Sequence, residues 1–436
     1  MAVSGDQAVS ARADAQATAL TTRILDRLFP PPRAFAVRLW NGLALPASTE
    51  PPFTLVLTHP GALRRILLPP TDLTAGEAFV RGDFDVEGDL ETAVAAVVEA
   101  AGKRSTLDWA TAALQTLALP RTAAQGQIPP RARLRGPRHT PKRDRAAVQH
   151  HYDVGNDFYA LWLDRRMVYS CAYFPTGTEE LNAAQEAKLE HICRKLRLRP
   201  GERLLDIGCG WGGLVAYAAQ HYGVHALGVT LSEPQALVGR ERIAAAGLGD
   251  HAEIRACDYR EVSGAPFDKI VSIGMVEHVG RSRLPEYFCQ VWRLLRPGGL
   301  FLNHGITARG LAMPWRRLGP GRSFMQAHIF PDGELVPIAP TLAAAQRAGF
   351  EVRDLENLRE HYARTLRLWL RNLEAHRREA TVLVGKARYR TWRIFLAASA
   401  QGFAAGRTEV FQALLARPEA SGAVPLPWSR ADLYRP

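Results

Sequence analysis

From Leu204 to Gly213 the chain reads LLDIGCGWGG, with Gly208, Gly210 and Gly213 at G-x-G-x-x-G spacing behind a short apolar run. Such a loop permits a tight strand-to-helix turn and close backbone approach, and it serves phosphates, dinucleotides and sulfonium cofactors alike. Its neighbours discriminate between them. Asp206 stands two residues before the first glycine, where a carboxylate would repel a pyrophosphate but suits the amine of S-adenosylmethionine (SAM). About 20 residues on, where a dinucleotide site expects an acid for the ribose, the chain has Thr230 in GVTLSEPQ. That leaves Thr230 and Gln235 as uncharged contacts for ribose or adenine. Asp258, in ACDYREV, is placed to accept from an adenine amino group, with helix N-capping as its alternative role. The set predicts a SAM-dependent methyltransferase.

The acceptor is read from the next strand end. Methyltransferases acting on amino nitrogens commonly carry Asn/Asp-Pro-Pro-aromatic there, whereas this chain has SIGMVEHVG (272–280), with Glu277 and His278 in place of the prolines. Upstream, QHHYDVGNDFYALWLDRRMVYSCAYF (149–174) is rich in aromatics and is expected to form a lid over the cofactor. An aromatic pocket with few charges fits an apolar acceptor rather than a polynucleotide.

These residues must be held by a sheet. Apolar runs at 203–207, 225–229, 252–256, 269–273, 299–303, 350–355 and 409–416 alternate for the most part with helical periodicity, and LRPGG (295–299) reads as a helix stop and turn. The predicted fold class is α/β, a doubly wound, mostly parallel, seven-stranded Rossmann-like sheet. The rest of the chain divides by composition. Residues 1–19 lack a periodic apolar face and are expected to be a disordered tail. Residues 20–126 form a smaller domain, with FTLVL (53–57) as a strand and DLETAVAAVVEAA (89–101) as a helix. Residues 127–147, carrying seven Lys/Arg between 127 and 145 against one Asp, form a basic, proline-rich linker expected to stay extended. Residues 148–436 are the catalytic domain.

The sequence of 436 residues carries a net charge of +12, which admits either nucleic acid or an anionic membrane as partner. Five cysteines without C-x-x-C spacing indicate neither a disulfide framework nor a zinc site, and no metal is expected. With no apolar run of about 18 residues, membrane contact is expected to be peripheral, from the cytoplasmic face.

Taken in order, HYDVGNDFY, YSCAYF, LLDIGCGWGG, GVTLS, GMVEHVG, LNHGIT and IFPDGELVP resemble the cyclopropane-fatty-acyl-phospholipid synthases and mycolic acid cyclopropane synthases. The resemblance spans about 148–416, and GEAFVRGDFDVEGDLE looks like the amino-terminal lipid-binding domain of the phospholipid enzymes. It implies transfer of a methylene from SAM to a cis double bond in an unsaturated phospholipid acyl chain, through a carbocation that bound bicarbonate deprotonates. Carried over by position, the bicarbonate contacts are Cys171, Glu277, His304, the Ile306 backbone and Tyr362. Taken singly, Cys171, His304 and Tyr362 also read as ordinary core packing. The cofactor contacts implied are Tyr169, Ser170, Gly208, Gly210, Thr230, Gln235, Asp258 and Tyr259. Some members have a cysteine where this chain has Ser399, so no covalent thiol role is expected there. The resemblance also suggests a homodimer. ARGLAMPWRRLGPGRSFMQ (308–326) mixes Trp315, Met313, Leu318 and Phe324 with Arg309, Arg316, Arg317 and Arg322, and reads either as an interfacial segment or as a packed surface loop. Two rival functions remain: a SAM-dependent C-methyltransferase making methyl-branched or methylene chains or acting on another apolar lipid, and a basic nucleic-acid-binding methyltransferase. The second lacks the amino-acceptor motif and any RNA-binding signature, so no nucleic acid is expected as partner.

Overall fold

The structure is a computed structural model that describes residues 5–122, 126–132, 134–152, 154–309 and 323–434. The chain separates into two compact units. One comprises Met1–Ala132, Ala312–Ile329 and Arg377–Gln401; the other comprises Arg133–Leu311, Phe330–His376 and Gly402–Pro436. The expected 20–126 and 148–436 division therefore differs in kind. Two later stretches of chain, 323–329 and 377–401, fold with the amino-terminal residues, a long-range exchange that local composition does not encode.

In the first unit a four-stranded sheet runs β2-β1-β3-β4, from β1 (Ala36–Arg38), β2 (Ala44–Leu45), β3 (Phe53–Leu57) and β4 (Phe84–Gly88). The stretch 1–19, expected to be a disordered tail, is helical from Gly5, within a helix running to Leu28. Two things order it. Ala17, Thr21, Ile24, Leu25 and Leu28 make a buried face at helical spacing, and Asp14 accepts from Trp40 Nε1 and Asn41 Nδ2.

The second unit holds the seven-stranded sheet, ordered β10-β11-β9-β8-β5-β6-β7. Its strands are β5 (Arg203–Ile207), β6 (His225–Thr230), β7 (Ala252–Ala256), β8 (Phe267–Ile273), β9 (Leu295–Ala308), β10 (Glu351–Asn357) and β11 (Thr408–Ala416). Pairing is parallel from β9 through β8, β5 and β6 to β7, and β11 is inserted antiparallel between β9 and β10. LRPGG does follow a helix end at Leu294, but it belongs to the start of β9 rather than to a turn. Central strands are apolar on both faces: Leu204, Leu205 and Ile207 are all buried, as a sheet covered on both sides requires.

The linker expected over 127–147 is only partly extended. A helix runs Pro141–Tyr152, Arg143 grips Asp332 through two nitrogens, and His139 Nδ1 lies 3.2 Å from the His278 carbonyl oxygen. Proline near the first turn is compatible with helix initiation, and the buried Asp332 supplies an ion-pair partner that no inspection of local charge would reveal.

Candidate active site

Strand ends carry the site. Asp206 lies one residue before the end of β5, Thr230 closes β6, Asp258 follows β7 by two residues, and Glu277 sits on a one-turn helix, Val276–Val279, after β8. This is the carboxyl edge of the parallel strands, where doubly wound folds bind ligands. Between them opens a cleft of about 160 Å³ lined in part by Tyr169, Ser170, Asp206, Gly208, Gly210, Thr230, Gln235, Asp258 and Tyr259. All nine cofactor positions expected from the sequence thus face one cavity.

The glycine loop differs in one detail. Gly208 and Gly210 have positive φ (82° and 56°), but the third such residue is Gly212, at φ 77°, not Gly213. A Cβ on Gly212 would stand 2.4 Å from Ile254 Cδ1. Chain direction therefore calls for glycine there, and any larger residue would also have to turn the end of the Ile254 side chain aside, a requirement hidden by the adjacent pair of glycines.

Several buried groups in the cleft await polar partners. Asp206 Oδ1 has none, and burial, partly offset by Lys188, raises its pKa to about 7. Gln235 Nε2 also lacks one, while its Oε1 accepts from Thr230 Oγ1 at 2.9 Å. A carboxylate and an amide set to meet a cationic amine and a hydroxyl fit SAM. Asp258 is engaged already. It caps the Tyr259–Glu261 turn by accepting from Arg260 N, and binds the Arg260 guanidinium through both oxygens. The capping role weighed for it is realised, and it lines the cleft as well.

Lys188 was not anticipated. It is buried on the helix Leu181–Leu196, lines the cleft and donates to Ser170 Oγ at 3.1 Å. Burial pulls it down to about 8 against the raising influence of Asp164, Cys171 and Asp206. A lysine in a helix ordinarily reads as solvated; its position on the apolar face of that helix was the available signal. Tyr152, Trp211 and His278 line the cleft as well.

None of the five proposed anion contacts is among the residues lining this cleft, and Glu277 and Ile306 line a smaller, separate pocket. Ser170 precedes Cys171, and Met275 and His278 bracket Glu277, so the chain carries each from the cleft into the interior. Glu277 Oε1 accepts from the Ile306 amide at 2.6 Å, its Oε2 has no partner, and burial raises its pKa to about 7 against that hydrogen bond. Cys171, Glu277 and Tyr152 all act electrostatically on Tyr362, whose phenol burial pushes far up. The Cys171 thiol is likewise pushed up by burial and lies 3.7 Å from the Leu358 carbonyl oxygen. His304, on β9, pairs directly with Gln412 on β11. The Gln412 amide donates to Nδ1 at 3.2 Å, which places the ring proton on Nε2, a buried donor without a partner. Burial, then Lys188 and Lys195, lower this imidazole to about 3, so it is neutral at ordinary pH. A neutral phenol, a neutral imidazole and an unpartnered carboxyl oxygen are groups that suit an oxyanion such as bicarbonate, whereas the Cys171 thiol already donates to the Ala172 and Leu358 carbonyl oxygens. The Ile306 amide is satisfied by Glu277 instead.

From Tyr362 a run of packed rings extends, Phe403 on one side and Trp369 then Tyr169 on the other, with centroids 4.6, 6.0 and 5.3 Å apart. The expected interfacial segment 308–326 falls mostly outside the described residues; only Ala308, Arg309 and 323–326 lie within them, and Phe324 is buried.

Fold and strand-end chemistry define a SAM-dependent methyltransferase of the cyclopropane-synthase type. Residues 139–413 match the family described as mycolic acid cyclopropane synthetase, and the chain belongs to it. It is 39% identical over 401 residues to the "Probable fatty acid methyltransferase" of Pseudomonas putida, covering 92% of this chain and 96% of that one. It is 38% identical over 270 residues to the cyclopropane-fatty-acyl-phospholipid synthase of Escherichia coli strain K12, covering 61% and 66%. Among solved structures, mycolic acid cyclopropane synthase CmaA1 complexed with SAH and CTAB matches with a TM-score of 0.59 at 36% identity, covering 62% of this chain and 97% of that one.

Proposed function

We propose that the protein transfers a one-carbon unit from SAM to the cis double bond of an unsaturated phospholipid acyl chain and closes a cyclopropane ring. The observation that carries this is that Glu277 Oε2 and His304 Nε2 are both buried without hydrogen-bond partners, and that Glu277 acts electrostatically on the buried Tyr362, whose ring packs on Trp369 and Phe403. SAM supplies the electrophilic methyl, and bicarbonate, held by Glu277, His304, Cys171 and Tyr362, supplies the base. The chain's own residues do the rest. Asp206 takes the amine of the donor, while Thr230 and Gln235 hold its nucleoside portion and Gly208 and Gly210 let the backbone approach. An alkene is a weak nucleophile, so alignment and water exclusion matter most. The rings of Tyr169, Tyr362 and Trp369 present π faces to positive charge developing on the acyl chain. Glu277 and neutral His304 would hold bicarbonate, which would supply the base for the proton lost from the transferred methyl as the ring closes.

A second reading has its own support. The relative covering 92% of this chain is named a probable fatty acid methyltransferase, and a C-methyl or methylene product would use the same pocket. Purified enzyme, labelled SAM and unsaturated phospholipid vesicles distinguish the two: a product one CH₂ heavier that resists alkene cleavage is the ring, whereas one still cleaved is the alternative. Membrane contact on this reading is peripheral, since no described helix is long and apolar enough to cross a bilayer.

A further inference from the structure

The first unit contains a cavity of about 410 Å³ that no part of the chemistry above uses. Five cations line it, Arg377, Arg378, Lys386, Arg390 and Arg393, against one carboxylate, Asp85. Asp85 is already committed, accepting from Arg390 at 2.9 Å and lying 3.6 Å from Arg393. Arg390 is a fixed part of the wall: buried, it donates to the carbonyl oxygens of Phe79 and Phe84, and its guanidinium lies 4.1 Å from the Phe79 ring centroid. Arg377, Arg378 and Lys386 are exposed and have no ion-pair partner among the described residues.

The backbone is shaped for this cluster. The helical segment Arg377–Ala404 is broken at Gly385, whose φ of 81° and ψ of 156° only glycine adopts without strain. The break brings Arg377 and Arg378 from one side, and Lys386, Arg390 and Arg393 from the other, onto the same cavity. Beside it stand two apolar side chains in water, Val382 at 86% and Leu383 at 48% exposure.

We infer that this cavity is a docking site for the phosphate of an anionic phospholipid headgroup, with Val382 and Leu383 entering the acyl boundary. The inference deepens the lipid reading above, on which its choice of occupant rests. Cations with adjoining exposed aliphatic side chains are the pattern of an interfacial segment. A single-stranded nucleic acid would want exposed rings for base stacking, and the only ring lining the cavity, Tyr389, is buried.

The test is vesicle flotation of the full chain, with neutral phosphatidylcholine vesicles and with vesicles also containing phosphatidylglycerol. Arg377→Glu/Arg378→Glu/Lys386→Glu should bind the anionic vesicles about a hundredfold more weakly than wild type, and Val382→Asp/Leu383→Asp should also lose binding. Unchanged melting temperature and SAM affinity would show that the variants fold; should the triple variant not fold, Arg377→Gln/Lys386→Gln should lose about tenfold. Anionic-vesicle binding equal to wild type in the folded variants overturns the inference. So does displacement of wild type by inorganic phosphate at matched phosphate concentration, which marks a free-phosphate site. Loss of RNA binding with vesicle binding intact would do the same. Methyl transfer by wild type to detergent-dispersed lipid is read separately, so a failed activity and a failed docking site are distinguishable.

Discussion

Glu277 and Asp206 are both buried carboxyl groups with pKa values raised to about 7, yet their tasks differ. Asp206 has to be ionised to hold a cationic amine. In the free protein it takes up a proton as pH falls through about 7, so SAM affinity should fall about tenfold per pH unit below that point. Calorimetric titration should show this slope in wild type and a weaker, flatter profile in Asp206→Asn. Glu277 does not line the SAM cleft. Glu277→Gln should therefore leave SAM affinity close to wild type while lowering single-turnover methyl transfer about a hundredfold or more. Equal loss of both would assign Glu277 to the cofactor instead. Sequence alone pointed to each of these two by type and strand-end position. It did not reveal Lys188 or Gln412, because a buried lysine and a glutamine facing a histidine from another strand are properties of pairing, not of local spacing.

At the level of elements, the glycine loop and β9 place the chemistry. Gly210→Ala adds only the cost of a left-handed backbone, about 1 kcal/mol, since nothing lies within 4 Å of the new Cβ. Gly212→Ala adds the collision with Ile254 and should cost about 2–4 kcal/mol. Urea unfolding of both variants checks the order, and equal losses would mean that the loop relaxes freely. All seven strands of the large sheet were legible in the sequence: the central ones are continuous apolar runs because both faces are buried, while the edge strands β7 and β10, half exposed, show through by alternation and by their place between helices. The start of β9 was not: LRPGG carries turn residues, and its extended form is supported by Arg417, the residue after β11, whose carbonyl oxygen accepts from Gly298 N at 2.8 Å. The amino-terminal helix was missed for a related reason. Its apolar face is made mainly of small residues until Ile24, and Trp40 and Asn41 complete its anchorage from outside.

For the whole molecule, composition separated a smaller amino-terminal part from an α/β part but could not show that 323–329 and 377–401 fold with the former. That exchange assembles the Arg377–Arg393 cavity from residues far in sequence from Asp85. The net charge of +12 was compatible with nucleic acid or membrane; the aliphatic residues beside those cations favour a lipid surface. The greasy acceptor and the charged surface thus belong to one account, in which a cationic methyl donor meets an olefin in a chamber from which water is excluded. Mass spectrometry of phospholipid recovered after incubation with the purified protein and labelled SAM tests it most directly. The account predicts labelled acyl chains heavier by one CH₂ and no longer cleaved as alkenes; recovery of the lipid unlabelled, with SAM bound and the protein folded, would contradict it.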